Sequence, residues 1–178
     1  MTLGTTTAVT HVIEHGKFKI VIMESPSDAN SPAYIERLRS LGVTDVVRTC
    51  EPTYDAARFE KEGIRVHEMS IPDGAPPPDD TIAKWLDLLR LRYRSKDPSE
   101  CGMIAVHCVA GLGRAPVMAA VALLEMTTLD PLDVVEKIRA KQKGAINARQ
   151  LKFLQSYKRI TKSGVMPDGA RPCGCVMM

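Results

Sequence analysis

The sequence predicts an α/β fold: a single domain in which a mainly parallel central sheet is flanked by helices. Short runs rich in valine and isoleucine alternate with longer segments of helical periodicity, which is the order typical of parallel sheets. A chain of 178 residues suits one domain. Aromatic residues make up only 4%, so we expect an aliphatic, methionine-containing core with Trp85 as its one large side chain.

The strands are predicted where apolar residues cluster between turn signals. They are assigned to residues 18–23, 43–48, 64–69 and 102–107. Helices are predicted from capping residues, terminal glycines and apolar periodicity, with Ser31 capping the first helix and Asp79 and Asp80 capping the third. They are assigned to residues 31–41, 53–62, 79–93, 113–126, 130–141 and 148–160.

The chain divides into three parts. Residues 1–15 are threonine-rich and predict an N-terminal arm or a weak edge strand, residues 16–160 form the folded domain, and residues 161–178 form a flexible tail. Between the third strand and the third helix, the run Pro72–Pro78 is too rich in proline for a helix or a central strand.

The net positive charge comes from the C-terminal end of the chain. The net charge is +3, from 24 Lys+Arg and 21 Asp+Glu. That excess is in residues 158–178, where Lys158, Arg159, Lys162 and Arg171 accompany Asp168 alone. The rest of the chain is neutral, which argues against nucleic-acid binding, because that function needs a basic face.

Apart from a motif at the C-terminus, which is described below, the sequence predicts no targeting signal. The N-terminus has neither the basic nor the apolar region of a secretory signal, and Thr2 replaces the glycine that myristoylation needs. No apolar run reaches the length of a membrane span. The five cysteines lack the spacing of a metal site, so we predict no metal and no cofactor and expect a chain that stays on the cytosolic side.

The strongest chemical signal is the run from His107 to Arg114, which follows a strand and opens a helix. Gly111 and Gly113 let the loop curl so that its backbone N–H groups converge, and the helix N-terminus adds partial positive charge there. Arg114 can bind a tetrahedral anion with its planar fork. The predicted anion-binding residues are Val109, Ala110, Gly111, Leu112, Gly113 and Arg114.

Cys108 at the base of this loop is the predicted nucleophile. A positive environment favours the thiolate, which is the reactive form, and the neighbouring anion site indicates attack on phosphorus. The alternative is a core cysteine beside a turn with an incidental arginine, and the strand–loop–helix context argues against it.

These residues resemble the signature of protein tyrosine phosphatases, and the extended motif resembles the phosphatase of regenerating liver family, also called type IVA. The resemblance covers nearly the whole chain. It is carried by His107–Val117, Gly42–Thr44, Arg48–Asp55, Glu60–Ile64, Asp73–Pro78, Lys143–Asn147 and the terminal Cys175–Met178.

The resemblance implies a general acid at Asp73, on the proline-rich loop. As an acid it would protonate the leaving oxygen, and as a carboxylate it would activate water. The family usually has two adjacent aspartates and an upstream Trp-Pro, whereas this chain has Met69-Ser70-Ile71-Pro72 before Asp73. We expect this departure to affect the packing of the loop. Without Cys108 and Arg114 elsewhere in the chain, an Asp-Gly pair would indicate only a turn.

Three further residues acquire expected roles. His107 either fixes the loop by hydrogen bonding or is an ordinary core histidine. Ala115 replaces the Ser or Thr that relatives in the wider superfamily place after the arginine, so breakdown of a phosphocysteine should be slow. In the family the cysteine matching Cys50 forms a reversible disulfide with the nucleophile Cys108, and a buried free thiol is the alternative.

The terminal Cys175-Val176-Met177-Met178 matches a prenylation box, with farnesyl favoured on Cys175 by the final methionine. This predicts farnesyltransferase as a partner, carboxyl methylation, and attachment to the cytoplasmic side of the plasma membrane and endomembranes, with cytosolic or nuclear location when unprenylated. Acylation of Cys173 stays open.

Two functions remain in view. The first is a dual-specificity phosphatase that hydrolyses phosphomonoesters of a protein or a phosphoinositide through a phosphocysteine intermediate. The second is a slow pseudo-enzyme whose pocket docks partners, and the resemblance implies CNNM-type magnesium transport mediators as that partner class. Homo-oligomer formation stays open as well.

Overall fold

The computed structural model describes residues 7–95 and 97–160, so the predicted tail, with Cys173 and Cys175, lies outside the described residues. The strands are β1 (Thr10–His15), β2 (Phe18–Met23), β3 (Val43–Arg48), β4 (Arg65–Glu68) and β5 (Met103–His107). The helices are α1 (Ser31–Ser40), α2 (Ala57–Glu60), α3 (Asp79–Arg94), α4 (Arg114–Met126), α5 (Pro131–Lys141) and α6 (Ala148–Ser156), with a 3₁₀ turn at Pro98–Glu100.

The five strands form one sheet in the order β1-β2-β5-β3-β4. Only β1 pairs antiparallel, with β2, and the other three pairs are parallel, which confirms the predicted mainly parallel sheet. Thr10–His15 thus form an edge strand, the second of the two alternatives for the N-terminal segment. The four strands predicted from apolar runs are all present, within a residue of their expected ends.

The predicted helix caps are wrong at two helices. Asn30 rather than Ser31 is the N-cap of α1, and Ser31 instead donates its hydroxyl to Ser27 O. Pro78 is the N-cap of α3. Asp79 and Asp80 lie in the first turn of that helix, where their negative charge still favours the positive end of the helix dipole.

Two helices are shorter than predicted because tertiary contacts take their end residues. Helix α2 begins at Ala57 rather than residue 53, since Thr53 donates its hydroxyl to Pro26 O and the Tyr54 side chain is buried in the sheet region. Helix α6 ends at Ser156 because the chain then bonds to α4: Tyr157 Oη and Ile160 N both donate to Glu125 Oε1.

Helix α4 is the centre of the core. All its residues after Arg114 are buried, and the core around it is largely aliphatic, as the composition predicted. Trp85 of α3 is fully buried and donates its indole N–H to Met118 O at 3.0 Å, which satisfies its one polar atom inside the core. Among the described residues, no helix is long and apolar enough to cross a membrane.

A buried carboxylate joins the far edge of the sheet to α3. Asp45 of β3 has no exposed surface, and its Oδ1 lies 2.7 Å from Nε2 of His67 on β4, while its Oδ2 lies 2.6 Å from Nε of Arg92 on α3. Burial would raise the pKa of Asp45, but hydrogen bonds from His67, Thr44 and Arg92 outweigh it and lower the pKa. The ionised carboxylate therefore links β3, β4 and α3.

The parallel strands end together at one edge of the sheet. Met23 of β2 and Arg48 of β3 both lie opposite His107 of β5, so the segments that follow these three residues meet there. In α/β sheets this carboxyl edge is where binding sites form. The run from Cys108 to Arg114 leaves the sheet at this point.

Candidate active site

The segment Cys108–Arg114, here called the anion loop, joins β5 to α4. The carbonyl groups of its residues are held by donors from outside the loop. Val109 O accepts from Ser25 N at 3.0 Å, Gly111 O from Gln142 Nε2 at 2.6 Å, and Leu112 O from Ile146 N at 2.8 Å. These three bonds turn the carbonyl oxygens outward.

The backbone N–H groups of the loop have no such partners. In the part of the chain that the structure describes, none of the N–H groups of residues 109–113 donates to another protein group. The N-cap of α4 is Gly113, which has no side chain to accept from the first N–H groups of the helix. Unsatisfied donors at a helix N-terminus form a binding place for a tetrahedral anion.

Gly111 is required by this geometry. Its φ is +67°, in the left-handed region, and a Cβ there would lie 2.9 Å from Gln142 Nε2 and 3.1 Å from Met23 O. A side chain at this position would therefore push away the amide that holds its own carbonyl group.

Arg114 and Asp73 contact each other. Arg114 Nε lies 3.4 Å from Asp73 Oδ1, and Arg114 Nη1 is 3.4 Å from Ile71 O, so the guanidinium bridges the anion loop and the proline-rich loop. The Asp73 side chain is 91% exposed, which leaves its carboxyl group at the mouth of the site. The structure thus brings together two residues that the sequence predicted as partners.

Cys108 and Cys50 are both buried free thiols, and Cys50 lies near enough to Arg114 and Cys108 for the charge of each to affect it. Burial raises the pKa of Cys50, and the charge of Arg114 and a hydrogen bond with Ser25 only partly oppose that rise. The thiolate of Cys108 adds a further increase, because like charges disfavour ionisation of the second thiol. The charge of Cys108 affects the pKa of Cys50, which agrees with the expected disulfide between these two cysteines. The disulfide itself stays a prediction.

His107 supports the loop from within the core. It is fully buried, and burial lowers its pKa to about 4, so the ring is neutral near pH 7. Its Nδ1 lies 3.3 Å from Cys108 O and its Nε2 lies 2.9 Å from Tyr54 Oη. A neutral ring satisfies both contacts when Nδ1–H donates to the carbonyl and Nε2 accepts from the tyrosine. Both alternatives for His107 hold: it is a core histidine and it bonds to the loop.

Tyr54 is in turn held by Arg48. The guanidinium of Arg48 lies 4.7 Å from the centre of the Tyr54 ring, donates to Tyr54 O at 3.0 Å and pairs with Glu68. Neither Tyr54 nor Arg48 is predicted by the sequence to have a role at the site. No local pattern marks them, because the contact depends on β3, β5 and the connection after β3 meeting at one edge.

The Asp73 loop is attached to the start of α6. Asn147 Nδ2 donates to Gly74 O at 3.1 Å and Gln150 Nε2 donates to Ala75 O at 3.2 Å. Asn147 and Gln150 also form a reciprocal capping box. The cap could have been found from the Asn-x-x-Gln spacing before an apolar run, but the bonds to the loop could not.

A strained residue connects α5 to the anion loop. Ile146 has a φ of +66°, unusual for a β-branched residue, while its N–H donates to Leu112 O. Arg139 holds this conformation by donating to Ala145 O at 2.9 Å and to Ile146 O at 2.8 Å. The energy of these bonds offsets the backbone strain, so Arg139 acts on the site through the segment after α5.

The rim of the site is apolar. Val109 is 58% exposed and Leu112 is 44% exposed, although both are large hydrophobic residues. They are the exposed large hydrophobic side chains of the anion loop, whose other groups are polar backbone, the Cys108 thiol and the Arg114 guanidinium.

Comparisons with known proteins agree with this geometry. A family model described as "Swiss Army Knife protein, DSP-PTPase phosphatase domain" matches residues 13–161. The chain is 44% identical to protein tyrosine phosphatase PRL-1 of Trypanosoma cruzi over 162 residues, covering 90% of this chain and 89% of that one. It is also 44% identical to protein tyrosine phosphatase type IVA 3 of Bos taurus, covering 93% of this chain and 94% of that one.

A solved structure of a protein tyrosine phosphatase from Leishmania major aligns with a TM-score of 0.73 and 41% identity, covering 85% of this chain and 99% of that one. The anion loop, the buried thiol at its base and these relatives agree on one assignment. This chain belongs to the type IVA family of protein tyrosine phosphatases and is a protein-tyrosine phosphatase.

Proposed function

We propose that this phosphatase works through a phosphocysteine on Cys108, with Arg114 binding the phosphoryl group and Asp73 as general acid and base. The observation that carries the proposal is the set of unengaged N–H groups around the Cys108 thiol, with the Arg114 guanidinium at the same place. Thiol, anion site and carboxylic acid are the three groups that phosphomonoester hydrolysis by this route requires.

In the first step the Cys108 thiolate attacks phosphorus and the bond from phosphorus to the ester oxygen breaks. Asp73, as the carboxylic acid, gives its proton to that oxygen, so the leaving group departs neutral. The loop N–H groups and Arg114 stabilise the charge on the three remaining phosphoryl oxygens. The Arg114–Asp73 contact is exchanged for contact between Arg114 and the phosphoryl group.

In the second step Asp73, now a carboxylate, takes a proton from a water molecule as the water oxygen attacks phosphorus. The phosphorus–sulfur bond breaks, inorganic phosphate leaves and the thiolate is restored. The proton that Asp73 lost in the first step is regained in the second, so the residue returns to its starting state.

Substitutions at Cys108 and Asp73 test these roles separately. Cys108→Ser should abolish both the burst of product and the trapped phosphoprotein in rapid-quench experiments. Asp73→Asn should slow the burst by about 10²–10⁴-fold with phenyl phosphate, a poor leaving group that needs an acid. The loss should be much smaller with p-nitrophenyl phosphate. An equal loss with both esters would contradict the role of Asp73.

The bond from Gln150 to the Asp73 loop predicts an effect at a distance. Gln150→Ala removes this bond and one half of the α6 capping box, so the burst rate with phenyl phosphate should fall by about 10-fold as the acid loses its fixed position. The free energy of unfolding should fall by about 1 kcal/mol from the lost cap. Gln155→Ala, the same change on an exposed position of α6, is the control. A p-nitrophenyl phosphate rate that falls as far would show general damage to the site instead.

The second candidate function, a pocket that docks an acidic partner, is favoured by one observation. Arg114 already pairs with a carboxylate, because its Nε lies 3.4 Å from Oδ1 of Asp73. An aspartate or glutamate of a partner can occupy the same place, and CNNM-type magnesium transport mediators are the partner class proposed here. A phosphocysteine that persists would occupy the docking site, so slow turnover would make docking depend on whether Cys108 is phosphorylated.

Ala115 is the residue that decides the rate of the second step. It is fully buried at the start of α4 and offers no hydroxyl to the departing thiolate. Ala115→Ser should supply one hydrogen bond to a charged group, worth roughly 1.5–3 kcal/mol, or about 10- to 150-fold in steady-state turnover. The burst rate should stay nearly unchanged, and less phosphocysteine should be trapped.

Ala119→Ser is the matched control for this prediction, because it adds the same hydroxyl to another fully buried position of α4. It should not raise turnover. If Ala115→Ser leaves turnover unaltered and the parent protein shows neither a burst nor a trapped intermediate, the docking role gains and the slow-step account fails.

We also propose that a farnesyl group on Cys175 holds the protein at the cytoplasmic face of membranes. The support is the sequence alone, a cysteine followed by Val176, Met177 and a final Met178. Carboxyl methylation of the farnesylated cysteine would follow removal of the last three residues.

Cys175→Ser should move the protein from the membrane fraction to the cytosol and nucleus and remove the prenyl mass. Cys173→Ser, two residues upstream, is the control and should keep the prenyl mass. The cations near the end of the chain should make residual binding sensitive to salt, because surface charges are screened within about 10 Å at 0.1 M salt. Persistent membrane association of Cys175→Ser at high salt would argue against the anchor.

A further inference from the structure

A basic groove lies between the β1–β2 hairpin and α5. Its volume is about 440 Å³, and it is lined by Ile13, Glu14, His15, Gly16, Lys19, Lys137 and Lys141. The mechanism proposed above uses none of these residues. The groove follows β1, which is the edge strand of the sheet among the described residues.

The groove has an excess of unpaired positive charge. Lys19 Nζ lies 3.3 Å from Glu14 Oε2, so the one acidic residue of the lining is already paired. Within the described residues, no carboxylate lies within ion-pair distance of Lys137 or Lys141. These two lysines are one helical turn apart on α5 and therefore present their charge on the same face.

The end of the described chain lies beside the start of α5, the helix that carries the two groove lysines. Arg159 Nη2 donates to Leu129 O at 2.5 Å, just before α5 begins at Pro131. Lys137 follows along that helix by about 9 Å, at 1.5 Å per residue. The chain from Ile160 to Cys175 can span up to ~50 Å when fully extended, so a lipid on Cys175 and the groove can reach one surface together.

We propose that this groove binds the anionic headgroups of a lipid bilayer and so supplies the second membrane signal of this protein. The inference rests on the proposed farnesyl anchor. One prenyl chain gives marginal and reversible binding, and stable attachment takes a second signal, often a basic cluster. Residues 158–178 carry only four scattered cations, whereas Lys137 and Lys141 are adjacent and held on a helix.

The positive charge of the groove indicates that its partner is an anionic lipid surface. An anionic leaflet attracts lysines near its surface, each by about five-fold in binding. The groove is open along the side of the domain, and its cations lie on two elements, the hairpin and α5, which suits several headgroups of a surface rather than one enclosed small anion.

Vesicle binding by the unprenylated full chain tests this proposal. The chain should bind phosphatidylcholine vesicles that contain phosphatidylserine and should not bind vesicles of phosphatidylcholine alone. The double variant Lys137→Gln/Lys141→Gln should bind the anionic vesicles about 30-fold more weakly, since two lysines near the surface are lost. The difference should shrink as salt is raised.

The matched control is Lys61→Gln/Lys84→Gln. It removes the same charge from the opposite edge of the sheet, where Lys84 lines a groove with β4 residues and Lys61 is the C-cap of α2, which packs on β4. This variant should bind like the parent. Equal losses in the two double variants would mean that only net charge matters and would overturn the proposal.

Two further results would also overturn it: equal binding to neutral and anionic vesicles, or displacement by soluble glycerophosphoserine at the same headgroup concentration. The latter would make the groove a site for a small anion. The readout is independent of the proposed function. A protein without a prenyl group on Cys175 in cells would refute the anchor, and loss of the phosphocysteine would refute the mechanism, but neither would change vesicle binding by the unprenylated chain.

Discussion

The whole site depends on the outward attachment of three carbonyl groups in the anion loop. A loop left to itself could turn its carbonyl oxygens toward the centre, and these would repel an anion. Here Ser25, Gln142 and Ile146 each hold one carbonyl from a different segment of the chain. The N–H groups are thereby left to converge above Cys108, and desolvation makes their interaction with a phosphoryl group stronger than it would be in water.

The same supports connect the anion loop to Asp73, the proposed general acid. The segment from Arg139 to Gln150 contacts both loops: Gln142 and Ile146 hold the anion loop, and Asn147 and Gln150 hold the loop of Asp73. Because one short stretch holds the loops of both Cys108 and Asp73, the proposed nucleophile and acid, a change in it should alter the distance between them. The left-handed conformation of Ile146 is the strain that this double attachment imposes.

Behind the nucleophile, the protein uses neutral polar groups in place of charges. His107 has its pKa lowered to about 4 by burial, so it orients the Cys108 carbonyl without carrying charge near pH 7. Arg114 and the helix N-terminus supply positive charge at the anion loop, and the charge of Arg48 behind the loop is paired with Glu68. Val109 and Leu112 are the exposed large apolar side chains of the anion loop.

The sequence by itself determined four of the five described strands and the anion loop with Cys108 and Arg114, and the family resemblance added Asp73 as the predicted general acid. Strand runs and the Cys-x₅-Arg loop are local patterns, in which backbone geometry and residue chemistry suffice. Only the tertiary structure decided the caps of α1 and α3, the short α2, and the bonds of Tyr54, Arg139 and Gln150 to the site. These depend on which distant segments meet at the carboxyl edge of the sheet, and no local pattern encodes such a meeting.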